Sequence, residues 1–248
     1  MKKLIIASAI AAAFASHGAY AEEAAAPEHV VAYNLGATTD YVFRGISQSR
    51  NSPALSGGVD YTHSPTGLYL GTWASTISWV NDSTTTGKGN TPFELDLYGG
   101  KRGEIAAGVS YDVGAIYYYY ANHKLTGFDA NTLEVYGQVG YGPVYLKVNY
   151  GVTDVINTGA SGSYYVDGGA NIPVMEGVTL NLHAGYFSFK DNKDANYTDC
   201  KVGLTKDFGG LTGAVAVTGT DASKTVWDLG GQGYLGDTKF IATVTKTF

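Results

Sequence analysis

The sequence predicts an all-β protein, a transmembrane antiparallel up-and-down β-barrel of about 12 strands, with 14 as the alternative. Three observations lead there: apolar and polar residues alternate with period two along most of the chain, short and long connections take turns between these stretches, and the last strand ends on an aromatic residue. In that closing stretch Phe240, Ala242, Val244, Lys246 and Phe248 share one face, while Ile241, Thr243, Thr245 and Thr247 share the other. This is the pattern of a strand with one side toward lipid and one toward a lumen.

The start of the chain predicts export. Met1, Lys2 and Lys3 form a positive region, Leu4 to Phe14 an apolar stretch, and Ala19-Tyr20-Ala21 a cleavage site, so residues 1–21 are expected to be a cleaved signal peptide. A membrane-crossing helix needs roughly 20 apolar residues, and no segment reaches that length. A membrane-embedded form must therefore be a closed barrel, which satisfies its backbone N–H and C=O groups within hydrocarbon. Residues 22–29, rich in Ala, Glu and Pro, are expected to be a periplasmic lead-in, and residues 30–248 a single barrel domain in the outer membrane of a Gram-negative bacterium.

Composition agrees with a wall wetted on one side. The chain holds Gly 34 and Tyr 20 against Met 2, and its 15% of charged residues falls below the roughly 25% usual in soluble domains. Loss of Lys2 and Lys3 leaves 14 basic residues against 22 acidic ones, a net charge of −8. That balance argues against nucleic acid as a partner, which needs a basic face. The single cysteine, Cys200, excludes a disulfide framework and a cysteine-based metal site. Sharing a face with Val202 and Leu204, it reads as a small apolar wall residue.

The expected strands are 30–45, 54–63, 67–77, 92–104, 108–122, 131–141, 143–153, 163–172, 178–190, 197–208, 211–219 and 237–248. The first takes Val31, Tyr33, Leu35, Ala37, Tyr41 and Phe43 outward, against Asn34, Gly36, Thr38, Asp40 and Arg44. The clearest later cases set Phe93, Leu95 and Leu97 against Glu94, Asp96 and Tyr98, and Val144, Leu146, Val148 and Tyr150 against Tyr145, Lys147 and Asn149. Alternation alone would also fit a β-sandwich. The connections decide: short ones at 64–66, 105–107, 142–143, 173–177 and 208–210 alternate with longer ones at 46–52, 78–91, 123–130, 154–162, 191–196 and 220–236. A barrel with short periplasmic turns and longer extracellular loops produces that order. With both termini on the periplasmic side the strand number must be even, so 220–236 is assigned to a loop although Trp227 to Tyr234 could pass for a strand. Fourteen strands would require an extra hairpin between Gly99 and Gly114.

Tyr41-Val42-Phe43-Arg44-Gly45-Ile46-Ser47-Gln48-Ser49 and Gly67-Leu68-Tyr69-Leu70-Gly71-Thr72-Trp73-Ala74-Ser75 are distinctive. With Glu94-Leu95-Asp96-Leu97-Tyr98-Gly99-Gly100, Ser110-Tyr111-Asp112-Val113-Gly114 and Lys246-Thr247-Phe248, they resemble the TorF-type family of outer-membrane porins over essentially the whole mature chain. The resemblance implies a barrel of the diffusion-channel type and supplies no catalytic residue. Two positions depart from the pattern. Ala121-Asn122-His123 stands where family members carry Pro-Gly, so that rim should differ in shape, and Lys246 stands where barrel termini favour an apolar residue, a place from which lysine can snorkel to the headgroups.

The inner faces collect Asp40, Asp60, Glu94, Asp96, Glu104, Asp112, Glu134, Asp167 and Asp199 with Arg44, Arg102, Lys147 and Lys201. Such a set can line a narrow aqueous channel or lock into ion pairs that plug it. Asp40, Arg44, Asp60, Glu94, Asp96, Glu134, Lys147, Asp199 and Lys201 are the candidate pore-lining residues. Their acid excess predicts a mild preference for cations and neutral solutes. Asp40 and Arg44 lie roughly 13 Å apart along a strand, so each is expected to pair with a neighbouring strand, for instance through Asp60 or Lys201. Tyr117, Tyr119 and Phe248 are the candidate interface girdle, whereas Tyr118 and Tyr120 should point inward. Trp73 shares a strand face with Tyr69 and invites the same choice between girdle and lumen.

The expected function is passive diffusion of small polar solutes through a porin-like channel, without cofactor or metal. A structural or adhesive plugged barrel is the alternative, with loops 79–90 and 220–236 long enough to bind something outside or fold into the pore. A barrel-embedded lipid-modifying enzyme is a further class, in which a serine lies two residues from a histidine on one strand. Here Val31, Pro65, Leu125 and Gly185 follow the mature histidines at that distance, and His63, His123 and His183 are scattered without metal-like spacing. Expected partners are the outer-membrane bilayer, small polar solutes, and the barrel-assembly machinery through the C-terminal strand.

Overall fold

β-branched and aromatic residues on one side of each period, with glycine and polar residues on the other, make segments that pair edge to edge. The structure, a computed structural model, describes residues 27–82, 91–123, 129–155, 161–228 and 233–248. The expected signal peptide lies outside the described residues, as does most of the lead-in. In chain order the elements are β1 His29–Thr38, β2 Val42–Phe43, β3 Ile46–Ser47, β4 Ala54–His63, β5 Leu68–Thr76, α1 Trp79–Asp82, β6 Phe93–Ala106 and β7 Val109–Tyr119. There follow β8 Thr132–Tyr141, β9 Val144–Gly151, β10 Tyr164–Met175, β11 Val178–Ser188, a 3-10 turn at Lys193–Ala195, β12 Tyr197–Asp207, β13 Leu211–Thr220, α2 Lys224–Trp227 and β14 Lys239–Thr247.

Twelve of these strands close into one antiparallel barrel, each bonded to its neighbour in sequence once the short β2–β3 hairpin is set aside. The expected twelve-stranded wall is correct, and Gly99 to Gly114 holds the β6–β7 turn and no extra hairpin, the two strands pairing from Leu95↔Tyr119 to Ala106↔Val109. The described residues of the 220–236 connection contribute α2 and an isolated Asp228↔Tyr234 bridge, not a wall strand. The barrel shuts where β1 meets β14, over Asn34↔Thr247 to Thr38↔Thr243. On its other edge β1 pairs with β4 along its whole length, from His29↔His63 to Thr38↔Ala54. The two termini therefore meet at the rim of the short turns, and Phe248 N–H still reaches the Tyr33 carbonyl at 2.9 Å.

The first expected strand, 30–45, is corrected. β1 stops at Thr38 and the chain leaves the wall, so Tyr41 and Phe43 do not face outward: Tyr41 is buried and Phe43 packs against the buried cluster. Four positions between 39 and 53 explain the departure. Arg44, Gly45, Arg50 and Asn51 all have positive φ, a backbone that no strand can contain.

Outside, the barrel is apolar. Val31, Leu35, Leu55, Leu70, Leu97, Val113, Val139, Leu146, Val202, Val215 and Val244 are all exposed. Aromatic residues bracket them, with Tyr33, Tyr141, Phe208 and Phe248 toward the short turns and Phe93, Tyr119, Tyr150, Tyr164, Tyr186 and Phe240 toward the long loops. Aliphatic residues between two aromatic girdles are the exterior a bilayer selects. Cys200 lies on this outer face.

Inside, tyrosines lie against glycines of the neighbouring strand. Tyr98 pairs in register with Gly71, Tyr69 with Gly100, Tyr136 with Gly114 and Tyr145 with Gly169. A Cβ on Gly71 would stand 2.5 Å from the Tyr98 ring, so the absence of a side chain is what lets the ring lie along the wall. The abundance of both residue types finds its place here.

Candidate functional site

The lumen has two halves. Toward the long loops, the 39–53 segment turns inward and crosses the opening. Its Arg44 guanidinium donates two hydrogen bonds to Glu134 of β8, Nη1 to Oε1 at 2.8 Å and Nη2 to Oε2 at 2.7 Å. The same group stacks on Phe43, Tyr165 and Phe187 at 4.7, 4.4 and 4.9 Å from the ring centres. Planar guanidinium suits both contacts, whereas a lysine could make neither in this form. Burial alone would weaken the hold of Arg44 on its proton; the Glu134 carboxylate more than reverses this, and the net direction is upward.

The rest of the segment is fastened as firmly. Tyr41 donates its hydroxyl to Glu94 of β6 at 2.6 Å, and Tyr120 donates to the other Glu94 oxygen. Asp40 accepts from the Ser47 and Ser49 hydroxyls at 2.6 and 3.0 Å, and burial raises its affinity for a proton despite these bonds and the charge of Lys239. Backbone bonds join Ser47 N–H to the Leu235 carbonyl at 3.0 Å and Ser78 N–H to the Gln48 carbonyl at 2.9 Å. Gly45 approaches β12 so closely that a Cβ there would meet Asp199 Cβ at 2.6 Å, and its φ of +79° disfavours any side chain. Aromatic residues Tyr118, Tyr120, Trp79, Tyr165, Phe187, Phe189, Tyr197 and Trp227 fill the space around the segment.

At the centre of this half sits Asp96, fully buried, with neither carboxylate oxygen meeting a hydrogen-bond partner among the described residues. Glu94 and Glu134 are 2% and 3% exposed and both act electrostatically on it. A buried carboxylate without a donor is costly unless a proton or a cation joins it.

From mid-height toward the short turns the wall supplies its own partners. At mid-height His183 of β11 sets Nδ1 at 2.9 Å from Asp167 and Nε2 at 2.7 Å from Asp199. With a carboxylate at each ring nitrogen, the ring can donate to both only as the doubly protonated imidazolium. Tyr69 donates to Asp112 at 2.6 Å and is also bonded to the Tyr136 hydroxyl, while Tyr98 donates to Asp60 at 2.6 Å. Lys147 sits 4.1 Å over the Tyr136 ring and Arg102 sits 4.9 Å over Tyr69. His183 and Asp167 keep 14% and 17% of their side-chain surface, whereas Asp199 keeps 2%.

The structure thus places Asp60, Glu94, Asp96, Glu134, Lys147, Asp199 and Lys201 on the inner face, alongside Arg44 and Asp40 from the inward segment. The expected pairing of Asp40 or Arg44 with Asp60 or Lys201 is wrong. Because the chain has left the wall, Arg44 reaches Glu134 across the lumen and Asp40 turns to serines of its own segment. Tyr118 and Tyr120 point inward and are buried, Tyr119 is exposed outside, and Tyr117 stacks beside it with ring centres 6.5 Å apart. Trp73 packs on Tyr41 inside the lumen.

The sequence reading missed one grouping altogether. His29 and His63, assigned to no common site, are direct cross-strand partners, and Glu28 lies beside both.

A family model described as a bacterial protein of unknown function, Gcw_chp, matches residues 21–248. The chain belongs to the Gcw_chp family. No curated protein matches it in sequence. Among solved structures the Gcw_chp chain is similar to the KdgM porin, with a TM-score of 0.56 and 8% identity over 88% of this chain and 99% of that one. It is likewise similar to the NanC porin, with a TM-score of 0.53 and 10% identity over 88% and 99%. A KdgM porin in complex with disordered oligogalacturonate also matches, at a TM-score of 0.54 and 8% identity. At such identities the likeness is one of fold. The TorF-type assignment is finer than any of these matches carries.

Proposed function

We propose that this Gcw_chp protein is an outer-membrane, porin-like barrel through which small polar solutes diffuse, with a mild preference for cations and neutral molecules, and that the 39–53 segment sets its constriction. The observation that carries this reading is the pairing of an apolar, aromatic-girdled exterior with an inner face built from carboxylates, tyrosine hydroxyls and a few cations. A wall of that kind has no use for its wet face unless water or solute occupies the lumen. The fold shared with KdgM and NanC supports it.

Electrostatics narrows the solute. Asp96, without a hydrogen-bond partner among the described residues, lies buried beside Glu94 and Glu134, and the negative field of this acid cluster favours a cation and disfavours an anion at the constriction. The oligogalacturonate bound by a KdgM porin is a polyanion, and this acid-rich constriction argues against a similar cargo here.

A second reading, a plugged barrel with a structural or adhesive role, is favoured by the Arg44–Glu134 clamp and the buried aromatic cluster around it. Planar-bilayer recordings separate the two. Conductance steps with a reversal potential on the cation side support the channel; a silent wild-type protein that conducts only after the 39–53 segment is shortened supports the plug. Absence of conductance in both forms would end the channel reading. Insertion through recognition of the Phe248-terminated strand by the barrel-assembly machinery, after removal of residues 1–21, completes the proposal.

A further inference from the structure

The short-turn rim carries a constellation that the lumen does not use. His29 opens β1 and His63 closes β4, and the antiparallel register sets them directly opposite, with ring centres 5.2 Å apart. Nε2 of His63 lies 3.2 Å and Nε2 of His29 3.7 Å from the same oxygen, Glu28 Oε1. All three ligand atoms fall within 4.8 Å of one another.

Each imidazole is also held from behind. Nδ1 of His29 is 2.8 Å from the Tyr61 hydroxyl, and Nδ1 of His63 is 2.7 Å from the Thr66 hydroxyl. Hydroxyl oxygens can accept from Nδ1–H, a bond that fixes the tautomer whose Nε2 bears a lone pair. That is the outer-shell arrangement found behind metal-bound histidines. The carboxylate is positioned independently: Ser64 N–H donates to the Glu28 carbonyl at 2.9 Å, and Ser64 Oγ donates to the Pro27 carbonyl at 2.7 Å. The β4–β5 turn thereby pins the backbone that presents Glu28.

We propose that Glu28, His29 and His63 form a binding site for a divalent transition cation, with Zn²⁺ the best match. Two imidazole nitrogens and one carboxylate oxygen are the ligands zinc takes in three-ligand sites, with water or another group at the fourth position. Calcium and magnesium prefer all-oxygen shells and fit this set poorly. The ion would tie the start of β1 to the β4–β5 turn. This matters because the C-terminal strand and Phe248 reach β1 only from Tyr33 onward, leaving His29 to Ala32 held by β4 alone. The site lies on the outer rim, apart from the luminal residues, and its success or failure is separate from the channel reading.

The test is calorimetric titration of the untagged, detergent-solubilised barrel with ZnCl₂, and in parallel the visible spectrum with Co²⁺. The expected result is one ion per chain, with intense tetrahedral cobalt bands that zinc displaces. His63→Gln and His29→Gln should each weaken binding at least tenfold, Tyr61→Phe by a smaller factor, and His123→Gln not at all. The cobalt spectrum of the wild-type barrel keeps the test open even where a variant assembles poorly. Lack of zinc binding by the wild-type barrel, or zinc affinity unchanged in a folded His29→Gln/His63→Gln double variant, would overturn the site.

Discussion

The two halves of the lumen are lined by the same kinds of residue and organised in different ways. Toward the short turns, Tyr69 and Tyr98 each lie over a glycine of the adjacent strand, Gly100 and Gly71, and donate to a carboxylate of the wall, Asp112 and Asp60. Toward the long loops, the partners come from a segment that is not wall at all: Arg44 holds Glu134 and Tyr41 holds Glu94. The first half is a property of the sheet and cannot be undone without unfolding it. The second half is docked onto the sheet, and the difference separates what makes the barrel from what closes it.

Breaking the dock should give the largest effect. Arg44→Ala leaves Glu134 buried beside Asp96 without its cation, and removing one member of a buried pair costs about 3–5 kcal/mol. That cost falls on the closed arrangement, because the twelve wall strands keep their backbone bonds. Bilayer conductance should rise severalfold, and the 39–53 segment should become open to protease in intact vesicles. Arg44→Lys should behave almost like the alanine variant, since lysine keeps the charge and loses both the fork and the stacking. Unchanged conductance with a protected segment would mean the two halves are not separable.

The wall half should respond in stability and not in gating. Gly71→Ala drives a Cβ into the Tyr98 ring, and overpacking of that kind costs about 1–3 kcal/mol. Gly137→Ala is the control: its Cβ would meet nothing nearer than Val113 at 4.0 Å, and a change within about 0.5 kcal/mol is expected. Urea unfolding from vesicles, followed by tryptophan fluorescence, measures both.

How far the sequence could be read follows the same division. Wall strands obey period two because every residue there faces either lipid or lumen, so the inner positions of Glu94, Asp96, Glu134 and Asp199 followed from alternation alone. The dock could not be read that way. Thr39 stands where the outward apolar set of the first strand should continue, and that gap was the one local sign that the strand had ended. Arg44 finding Glu134 depends on two segments ninety residues apart meeting across a closed barrel, and spacing along the chain holds no trace of it. The same holds for His29 and His63, which only the β1–β4 register brings together.

Ion preference should change less than gating. Asp96→Asn removes a carboxylate that accepts no hydrogen bond from the described residues, so the fold should tolerate it while the reversal potential moves toward zero. A reversal potential equal to that of the wild type would place the ion path elsewhere than beside Asp96.

Smaller still is a pH effect on the dock. Burial raises the affinity of Asp40 for its proton above the ordinary carboxylate value, so docking binds a proton more tightly than the undocked segment does. By linkage the Asp40 contribution is fully present below the undocked value, about 3.9, and is lost as pH rises through the higher docked value. Protease sensitivity of the segment should therefore increase from acid toward neutral pH, and Asp40→Asn should flatten that slope. A segment that loosens on acidification instead would assign the proton to another group.

The smallest expected effect tests the frame in which both halves sit. Cys200 is exposed on the outer face in line with Val202 and Leu204, where an apolar belt has lipid as its solvent. Cys200→Ala should change neither conductance nor urea stability by more than about 0.5 kcal/mol. The thiol itself reports more than its removal does. In vesicles it should react with a membrane-soluble maleimide and resist a charged one, because only the uncharged reagent can enter hydrocarbon. Rapid labelling by the charged reagent in folded, reconstituted protein would mean that this face is wet. Both halves of the lumen would then have to be reconsidered as the interior of something other than a membrane barrel.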